Sequence, residues 1–210
     1  RTPLTGLMGM VDLLADAPLR AQDKHHLMTA KASAETLRVI INDILDLSKL
    51  GAGKIKLIEA PFHIGLLASD VAEMMHVAAA AKNVGLALKL PSEDLPIVIG
   101  DQARLRQILF NLTGNAVKFT QAGEIIVSLI VLSASEGKVA VRFQVEDSGV
   151  GIAQEDMGRL FDRFEQIDSS MTRSQSGTGL GLAISQELAH LMSSVIEVES
   201  TFGEGSRFWF

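Results

Sequence analysis

The sequence contains no cysteine, which excludes disulfide bonds, thiolate metal sites and a cysteine nucleophile. This absence agrees with a reducing compartment. No uninterrupted apolar run approaches membrane-spanning length, and the sequence shows no secretory apolar segment. An excess of positive charge is also lacking, since the net charge is −6 and residues 51–210 carry all of it. A basic nucleic-acid-binding face is therefore not expected.

The 210 residues, 47% of them hydrophobic, are enough for one large or two modest globular domains. Residues 1–50 predict two helices joined by a short turn. In each helix small or apolar residues recur at alternating steps of three and four: Leu4, Leu7, Val11 and Leu14 in the first, and Leu27, Ala30, Ala34, Leu37, Ile41 and Ile44, followed by Ser48, in the second. Because a lone hairpin leaves its stripe exposed, we expect half of a dimeric four-helix bundle, a homodimer through residues 4–48.

The remaining chain mixes strands and helices. Gly51 marks a break, and we predict a hairpin domain at 1–52, a linker at 53–61 and a second domain at 62–210. The patterns in the second domain predict helices and strands in a fixed order: helix 66–82, strands 86–90 and 97–99, the helix that follows Asp101, strands 124–132 and 138–146, helix 180–192, and strands 195–200 and 206–210. The predicted fold class is α+β, a sandwich with helices on one face of a mixed sheet.

The helix that follows Asp101, its predicted N-cap, carries two amides and a cation on one face. Asn111 and Asn115 are one turn apart, and Lys118 follows three residues later. An amide oxygen is a suitable ligand for Mg²⁺, and an ammonium neutralises phosphate charge. Taken alone, the two amides are equally compatible with solvated helix positions.

Two glycine motifs follow. DSGVG, at 147–151, comes directly after a strand, where its glycines let a flat ligand approach and Asp147 can accept a hydrogen bond from an adenine amino group. GTGLG, at 177–181, opens a helix, and free backbone amides at a helix start favour phosphate. Its spacing is neither that of a dinucleotide fingerprint nor that of a P-loop. Alone, DSGVG is a common turn. The polar stretch 168–176 between the motifs predicts a mobile lid.

NLTGNAVKFT, DSGVGI, FDRF and GTGLGL, in this order, resemble the ATP-binding domain of sensor histidine kinases of two-component systems. That domain has the fold shared with gyrase, Hsp90 and MutL. RTPLTGLMG at the start of the chain resembles the segment just after the phosphoacceptor histidine. The resemblance covers essentially the whole chain, and the motifs are most similar to those of hybrid kinases.

The resemblance implies a role for each matching residue. Asn115 would coordinate Mg²⁺, Asn111 would line the site with a catalytic role, and Lys118 would contact phosphate. Phe119 and Asp147 would bind adenine. Thr2 would act in dephosphorylation of the receiver. The glycine motifs would supply the remaining ATP contacts: Gly149, Gly151, Gly177, Thr178, Gly179, Leu180 and Gly181.

Some features depart from the family pattern. The phosphoacceptor histidine is expected just before Arg1, so this chain is not expected to autophosphorylate. His25 and His26 lack that context and are predicted to be exposed helix residues. Ser193-Ser194 replaces a glycine pair, which argues against a positive-φ turn there. Ser176 stands where a glycine is usual and predicts a stiffer lid.

The implied function is the catalytic core of a cytoplasmic kinase, anchored to the membrane through upstream segments. It would use ATP and Mg²⁺ and pass phosphate from a histidine to an aspartate of a response-regulator receiver, its second partner beside the homodimer. Two alternatives remain. One is a same-fold ATPase, although Asn111 occupies the place of the general base of those enzymes and cannot accept a proton. The other is a dimeric docking module with a vestigial nucleotide site.

Overall fold

A computed structural model describes most of the chain in two compact units, Arg1–Lys54 and Ile55–Phe210. The first is helical and the second is α/β, which confirms the predicted fold class. None of the described helices is long and apolar enough to cross a membrane. The described residues are 6, 9–11, 14, 20–51, 53, 55–92, 95–135, 137–165 and 178–210.

The helical unit contains one long helix, α1, at Ala21–Gly51. Gly6, residues 9–11 and Leu14 are also helical, whereas Leu4 and Leu7 of the first predicted helix lie outside the described residues. The heptad stripe of α1 is only partly covered, because Leu37 and Ile44 each keep 48% of their surface exposed. His25 and His26 are exposed, as predicted.

The described residues of the α/β unit form seven strands, arranged as a ribbon and a mixed sheet. β1 and β3 pair antiparallel as a two-stranded ribbon, and the other five strands form a sheet of order β2-β4-β5-β7-β6. β2 runs parallel to β4, and the other three pairs are antiparallel. The strands are β1 Ala60–His63, β2 Gly85–Lys89, β3 Ile97–Gly100, β4 Glu124–Ser135, β5 Lys138–Asp147, β6 Glu197–Thr201 and β7 Gly205–Trp209.

The helices α2 (Ile64–Ala80), α3 (Gln102–Phe119) and α4 (Gly181–Leu191) complete the unit, together with a short 3-10 turn at Met157–Arg159. α2 and α3 contact the sheet, and α4 packs against α3. Alternate residues of β5 are buried, Phe143 and Val145 among them. Because side chains alternate along a strand, Asp147 belongs to the same face of the sheet.

Helix α3 is fixed at both ends by polar side chains. At its start Asp101, only 6% exposed, accepts a hydrogen bond from the backbone of Arg104 at 3.0 Å, which confirms the predicted N-cap. At its end the Lys82 ammonium donates to the carbonyl oxygens of Val117 (2.7 Å) and Lys118 (2.8 Å). A cation at this end satisfies unpaired carbonyls and complements the helix dipole.

The end of α4 corrects one expectation. Ser193 adopts a φ of +58°, although serine in place of glycine argued against a positive φ. Its N–H donates to His190, and the N–H of Ser194 donates to Ala189, the pattern of a Schellman motif. The two hydrogen bonds that close the helix outweigh the conformational penalty of a non-glycine residue there.

Candidate functional site

Three predicted site residues lie one turn apart along α3. Asn111, Asn115 and Phe119 are spaced by four, so they share one face of the helix, and all three are half-buried. At one end of this face Asn111 contacts the GTGLG motif, and at the other end Phe119 contacts the DSGVG motif. The helix thereby brings the amide pair, Lys118 and both motifs into one site.

Asn111 contacts the start of α4. Its amide nitrogen donates to the Ser185 hydroxyl at 3.0 Å, and Ser185 is buried. A Cβ at Gly181 would collide with the amide oxygen of Asn111. A larger residue at 181 would therefore displace the Asn111 amide from its present position. The catalytic role of Asn111 stays a prediction.

Asn115 differs from Asn111 in that its amide makes no hydrogen bond with any described residue. A half-buried amide without a protein partner is available to a ligand. Its neutral oxygen fits a hard divalent cation. The described residues contain no cluster of three histidine, aspartate or glutamate side chains that could hold a metal by themselves.

Lys118 lies with its ammonium 4.7 Å from the centroid of the Phe119 ring. Burial lowers the pKa of Lys118, and the charge of Lys82 lowers it further. Lys82 was not singled out from the sequence, and an isolated lysine at the end of a helix offers no motif by which to find it. Its charge and its hydrogen bonds hold the α3 end at which Lys118 sits.

Asp147 ends β5 and is half-buried. Burial raises the pKa of its carboxyl, and backbone N–H groups of Gly149 and Ser206 partly oppose that rise. The Gly149 N–H donates to Oδ1 at 2.8 Å. A Cβ at Gly149 would lie 2.8 Å from the carbonyl oxygen of Phe119, so this glycine lets the carboxylate loop meet the end of α3.

Gly151 holds the other end of the same loop. Its φ is +65°, and a Cβ there would collide with the Thr201 carbonyl oxygen. The Gly203 N–H donates to the carbonyl of Val150 at 2.8 Å, and the Ile152 N–H donates to the Ser200 hydroxyl at 2.8 Å. The turn between β6 and β7 thus supports the DSGVG loop.

The described part of the GTGLG motif approaches the FDRF segment. Gly179 has a φ of +67°, its carbonyl accepts from the Phe164 N–H at 3.0 Å, and a Cβ would lie 2.8 Å from the carbonyl oxygen of Glu165. The Thr178 hydroxyl accepts from the N–H of Leu180 at 3.1 Å. Leu180 is 1% exposed, so its side chain belongs to the core and only its backbone can face a ligand.

Two predicted site residues, Thr2 and Gly177, lie outside the described residues, as does the predicted lid at 168–176. Among the remaining histidines, His63 has a structural position, because its Nδ1 accepts from the Leu66 N–H at the start of α2. Ser148, Ser185 and Ser200 were not singled out from the sequence. Only Ser148 lies inside a motif; its hydroxyl accepts from the Glu124 N–H at 2.9 Å.

A mixed sheet backed by helices, with two glycine loops meeting one amide-bearing helix, defines a nucleotide-binding α/β sandwich. The chain belongs to the histidine kinase-, DNA gyrase B- and HSP90-like ATPase family, whose model matches residues 100–210. Residues 1–53 match the His Kinase A (phospho-acceptor) domain. These two matches confirm the resemblance to sensor histidine kinases.

Sequence similarity to known histidine kinases extends over the whole chain. It is 42% identical over 210 residues to the sensor histidine kinase GacS of Pseudomonas protegens and 41% identical to the histidine-protein kinase BarA of Escherichia coli K12. Each of these two alignments covers 100% of this chain but only 23% of the length of the relative. The hybrid signal transduction histidine kinase L of Dictyostelium discoideum is 40% identical over 209 residues, 99% of this chain and 12% of its own length.

A solved structure shares both units. The crystal structure of full-length ShkA in complex with AMPPNP has a TM-score of 0.82 and 40% identity, with coverage of 100% of this chain and 42% of ShkA. The histidine kinase AdeS of Acinetobacter baumannii, at a TM-score of 0.70 and 24% identity over 100% of this chain and 93% of its own, supports the fold.

Proposed function

We propose that this chain is the catalytic core of a sensor histidine kinase. It binds Mg-ATP in the α/β unit and transfers the γ-phosphoryl group to a ring nitrogen of a histidine, leaving ADP. The phosphate then passes to an aspartate of a response-regulator receiver. The observation that carries the proposal is one helix, α3, that meets both glycine loops and holds an unpaired amide, Asn115, between them.

The chain's own residues have distinct tasks in this reaction. Asp147 accepts a hydrogen bond from the amino group of adenine, and the ring of Phe119 lies beside the base. Lys118 and the amides at the start of α4 bind phosphate oxygens, and they align the γ-phosphoryl group with the attacking nitrogen. Asn115 would hold Mg²⁺ together with the phosphates, and the ion would neutralise phosphate charge. Catalysis consists of positioning and charge neutralisation.

Hydrolysis is disfavoured by the chemistry of Asn111. An amide cannot accept a proton from water at neutral pH, and this amide donates to Ser185. Without a general base at that position, water is a poor competitor of a histidine nucleophile. The docking-module alternative is disfavoured because Asn115 and Lys118 on α3 and Asp147 at the end of β5 are all present.

We also propose that the helical unit dimerises. Leu37 and Ile44 are seven residues apart on α1 and remain half-exposed. Apolar residues in such a repeat are covered in helix bundles by a second helical hairpin. A second copy of this chain supplies an identical surface.

Calorimetry of the 210-residue chain with ATP tests the nucleotide site. We expect association in the presence of Mg²⁺ that weakens when EDTA removes the ion. Asn115→Ala should weaken Mg-ATP binding about tenfold, equivalent to about 1.4 kcal/mol, and should abolish most of the difference between Mg²⁺ and EDTA. Gln102→Ala, an amide at the other end of α3, is the matched control. No heat from well-folded wild-type protein would refute the proposal.

Phosphoryl transfer is tested on a chain to whose start a histidine-containing phosphoacceptor segment has been joined. Incubation with γ-labelled ATP should give a label that is stable in base and lost in acid, as expected for a phosphorus–nitrogen bond. Asp147→Ala or Asn115→Ala should prevent labelling. Release of free phosphate without any protein label would support the ATPase instead.

A further inference from the structure

The Ser200 hydroxyl of β6 lies against the loop that carries Asp147. It accepts the Ile152 N–H at 2.8 Å and donates its own hydrogen to the Gly205 carbonyl at 2.8 Å. The Ser206 hydroxyl lies 3.0 Å away. Because the single hydrogen of Ser200 is already donated, Ser206 must be the donor in that pair. The hydroxyl of Ser200 therefore uses its one hydrogen and accepts twice.

These three hydrogen bonds reach both ends of the loop. Ile152 closes its far end, directly after Gly151. Ser206 faces Asp147 in the register of β5 and β7. The backbone N–H of Ser206 also contributes to the electrostatics of the Asp147 carboxyl, opposing the burial that raises its pKa. One hydroxyl thus connects the loop's end at Ile152 with the residue opposite its carboxylate.

The other supports of the loop do not duplicate this connection. Ser148 ties the loop to the start of β4 through the Glu124 N–H. Gly203 binds the Val150 carbonyl, in the middle of the loop. Among the described residues, the amide of Ile152 has Ser200 as its hydrogen-bond partner. Removing this hydroxyl leaves the half-buried Ile152 N–H unpaired, and that end of the loop is then free to shift.

We propose that Ser200 is a positioning residue for the nucleotide base: its hydroxyl holds the 147–152 loop in the conformation in which Asp147 receives the adenine amino group. Ser200 itself does not touch the nucleotide. This inference rests on the proposed ATP-binding function. It adds that the β6–β7 hairpin helps to position the base end of the site.

Removal of the Ser200 hydroxyl should weaken binding of the nucleotide base and leave binding of the phosphates unchanged. Ser200→Ala should raise the Kd for Mg-ATP about tenfold, the change equivalent to about 1.4 kcal/mol. It should leave the Kd for magnesium tripolyphosphate, which lacks a base, within about twofold of wild type, well under the 1.4 kcal/mol of a tenfold change. Ser200→Thr keeps the hydroxyl and should bind both probes like wild type. Ser133→Ala, at an exposed position of β4, is the control for a serine removed elsewhere in the sheet.

Hydrogen exchange of the wild-type chain supplies a measurement that needs no variant. The Ile152 amide should exchange far more slowly than an open loop amide, because it is paired with Ser200. Exchange at the solvent-exposed rate would overturn the inference, even if Ser200→Ala did not fold.

The remaining outcomes separate this inference from the proposed function. Unchanged ATP binding by Ser200→Ala, equal weakening of ATP and tripolyphosphate, or loss of binding by Ser200→Thr would each overturn the role of Ser200 alone. Wild-type protein that binds tripolyphosphate but not ATP, or neither, would instead refute the proposed function, and the inference with it.

Discussion

The two units of the molecule bury their apolar residues to very different degrees. In the α/β unit, helices α2 and α3 and strands β4 and β5 contribute side chains with almost no exposed surface, such as Leu67, Ile108 and Val127. In the helical unit, Leu37 and Ile44 lie on the heptad stripe of α1 and remain 48% exposed. The described part of the α/β unit thus has a closed core of its own, whereas two apolar side chains of the α1 stripe stay half-exposed.

This difference assigns separate tasks to the two units. A closed core can hold a binding site rigidly, and all the described candidate site residues belong to the α/β unit. An uncovered apolar stripe is instead a surface for assembly. We therefore expect substitutions in the helical unit to leave ATP binding unchanged, and substitutions in the α/β unit to leave dimerisation unchanged.

The largest effect is expected on the stripe of α1. Leu37→Glu combined with Ile44→Glu should weaken dimerisation by about 4 kcal/mol, since each chain would bury two charges in place of apolar side chains. Analytical ultracentrifugation should then show a monomer at tens of micromolar, where we expect the wild type to be a dimer. The affinity for Mg-ATP should not change.

The control for this change is Val39→Glu. Val39 lies off the stripe, two residues beyond Leu37, and is 43% exposed. Val39→Glu introduces one such charge into the same helix, against two in the double variant, and should leave the dimer intact. A wild-type monomer, or a dimer that survives the double substitution, would contradict the assignment of this surface.

The next largest effect concerns Gly151 and the stability of the α/β unit. Gly151→Ala should lower the free energy of unfolding of that unit by about 3 kcal/mol, because it combines a positive φ with a collision against the Thr201 carbonyl. Gly137 has a similar φ of +76° with no atom near its Cβ position. Gly137→Ala should therefore destabilise by only about 1 kcal/mol.

Urea unfolding followed by tryptophan fluorescence measures this pair, since Trp209 lies in the α/β unit. The helical content of α1, monitored by circular dichroism, should be lost at the same point in all three proteins if the units are independent. Equal destabilisation by both alanines would show that backbone conformation, rather than the close approach of Thr201, makes glycine necessary at 151.

Asp147→Asn should have opposite effects on binding and on stability. The amide in place of the carboxylate should weaken ATP binding by about 2 kcal/mol, roughly thirtyfold, through loss of a charged acceptor. Burial raises the pKa of Asp147, so the folded state binds the proton more tightly than the unfolded state does. The stability that protonation provides is therefore present at low pH and is lost as the pH rises through the folded pKa.

It follows that unliganded Asp147→Asn should melt higher than wild type at pH 7, and that the difference should disappear below the ordinary aspartate pKa of 3.8. As the pH is lowered, the ATP affinity of the wild type should begin to fall at a higher pH than it would if Asp147 had the pKa of an ordinary aspartate. Differential scanning calorimetry across this range checks the first point. A variant that melts lower than wild type at pH 7 would contradict the raised pKa.

Local patterns in the sequence predicted much of this arrangement. The spacing of apolar residues in α3, the cap at Asp101 and the amides at 111 and 115 depend on neighbours within a few turns, so they can be read directly. The partner of Asn111 could not be predicted in this way. Its amide bonds a serine 74 residues away, and Ile152 bonds one 48 residues away. A serine carries no spacing signal that identifies such a contact.

Ser193 illustrates the opposite failure, in which a local rule was applied and the tertiary context overrode it. Glycine is the usual residue at a helix end with positive φ, and the sequence has serine there. The Schellman hydrogen bonds at the end of α4 impose a φ of +58° nonetheless. The serine should therefore be slightly strained, and the strain should be measurable.

Ser193→Gly is the smallest effect we predict. Relief of the left-handed conformation should contribute about 1 kcal/mol, and the greater entropy of glycine in the unfolded chain should remove about half of that. The α/β unit should gain about 0.5 kcal/mol in urea unfolding. Ser194→Gly, at a neighbour without a positive φ, has only the entropic penalty and should lose about as much. If both glycines destabilised equally, Ser193 would not be strained, and the closed end of α4 would be satisfied by serine as fully as by glycine.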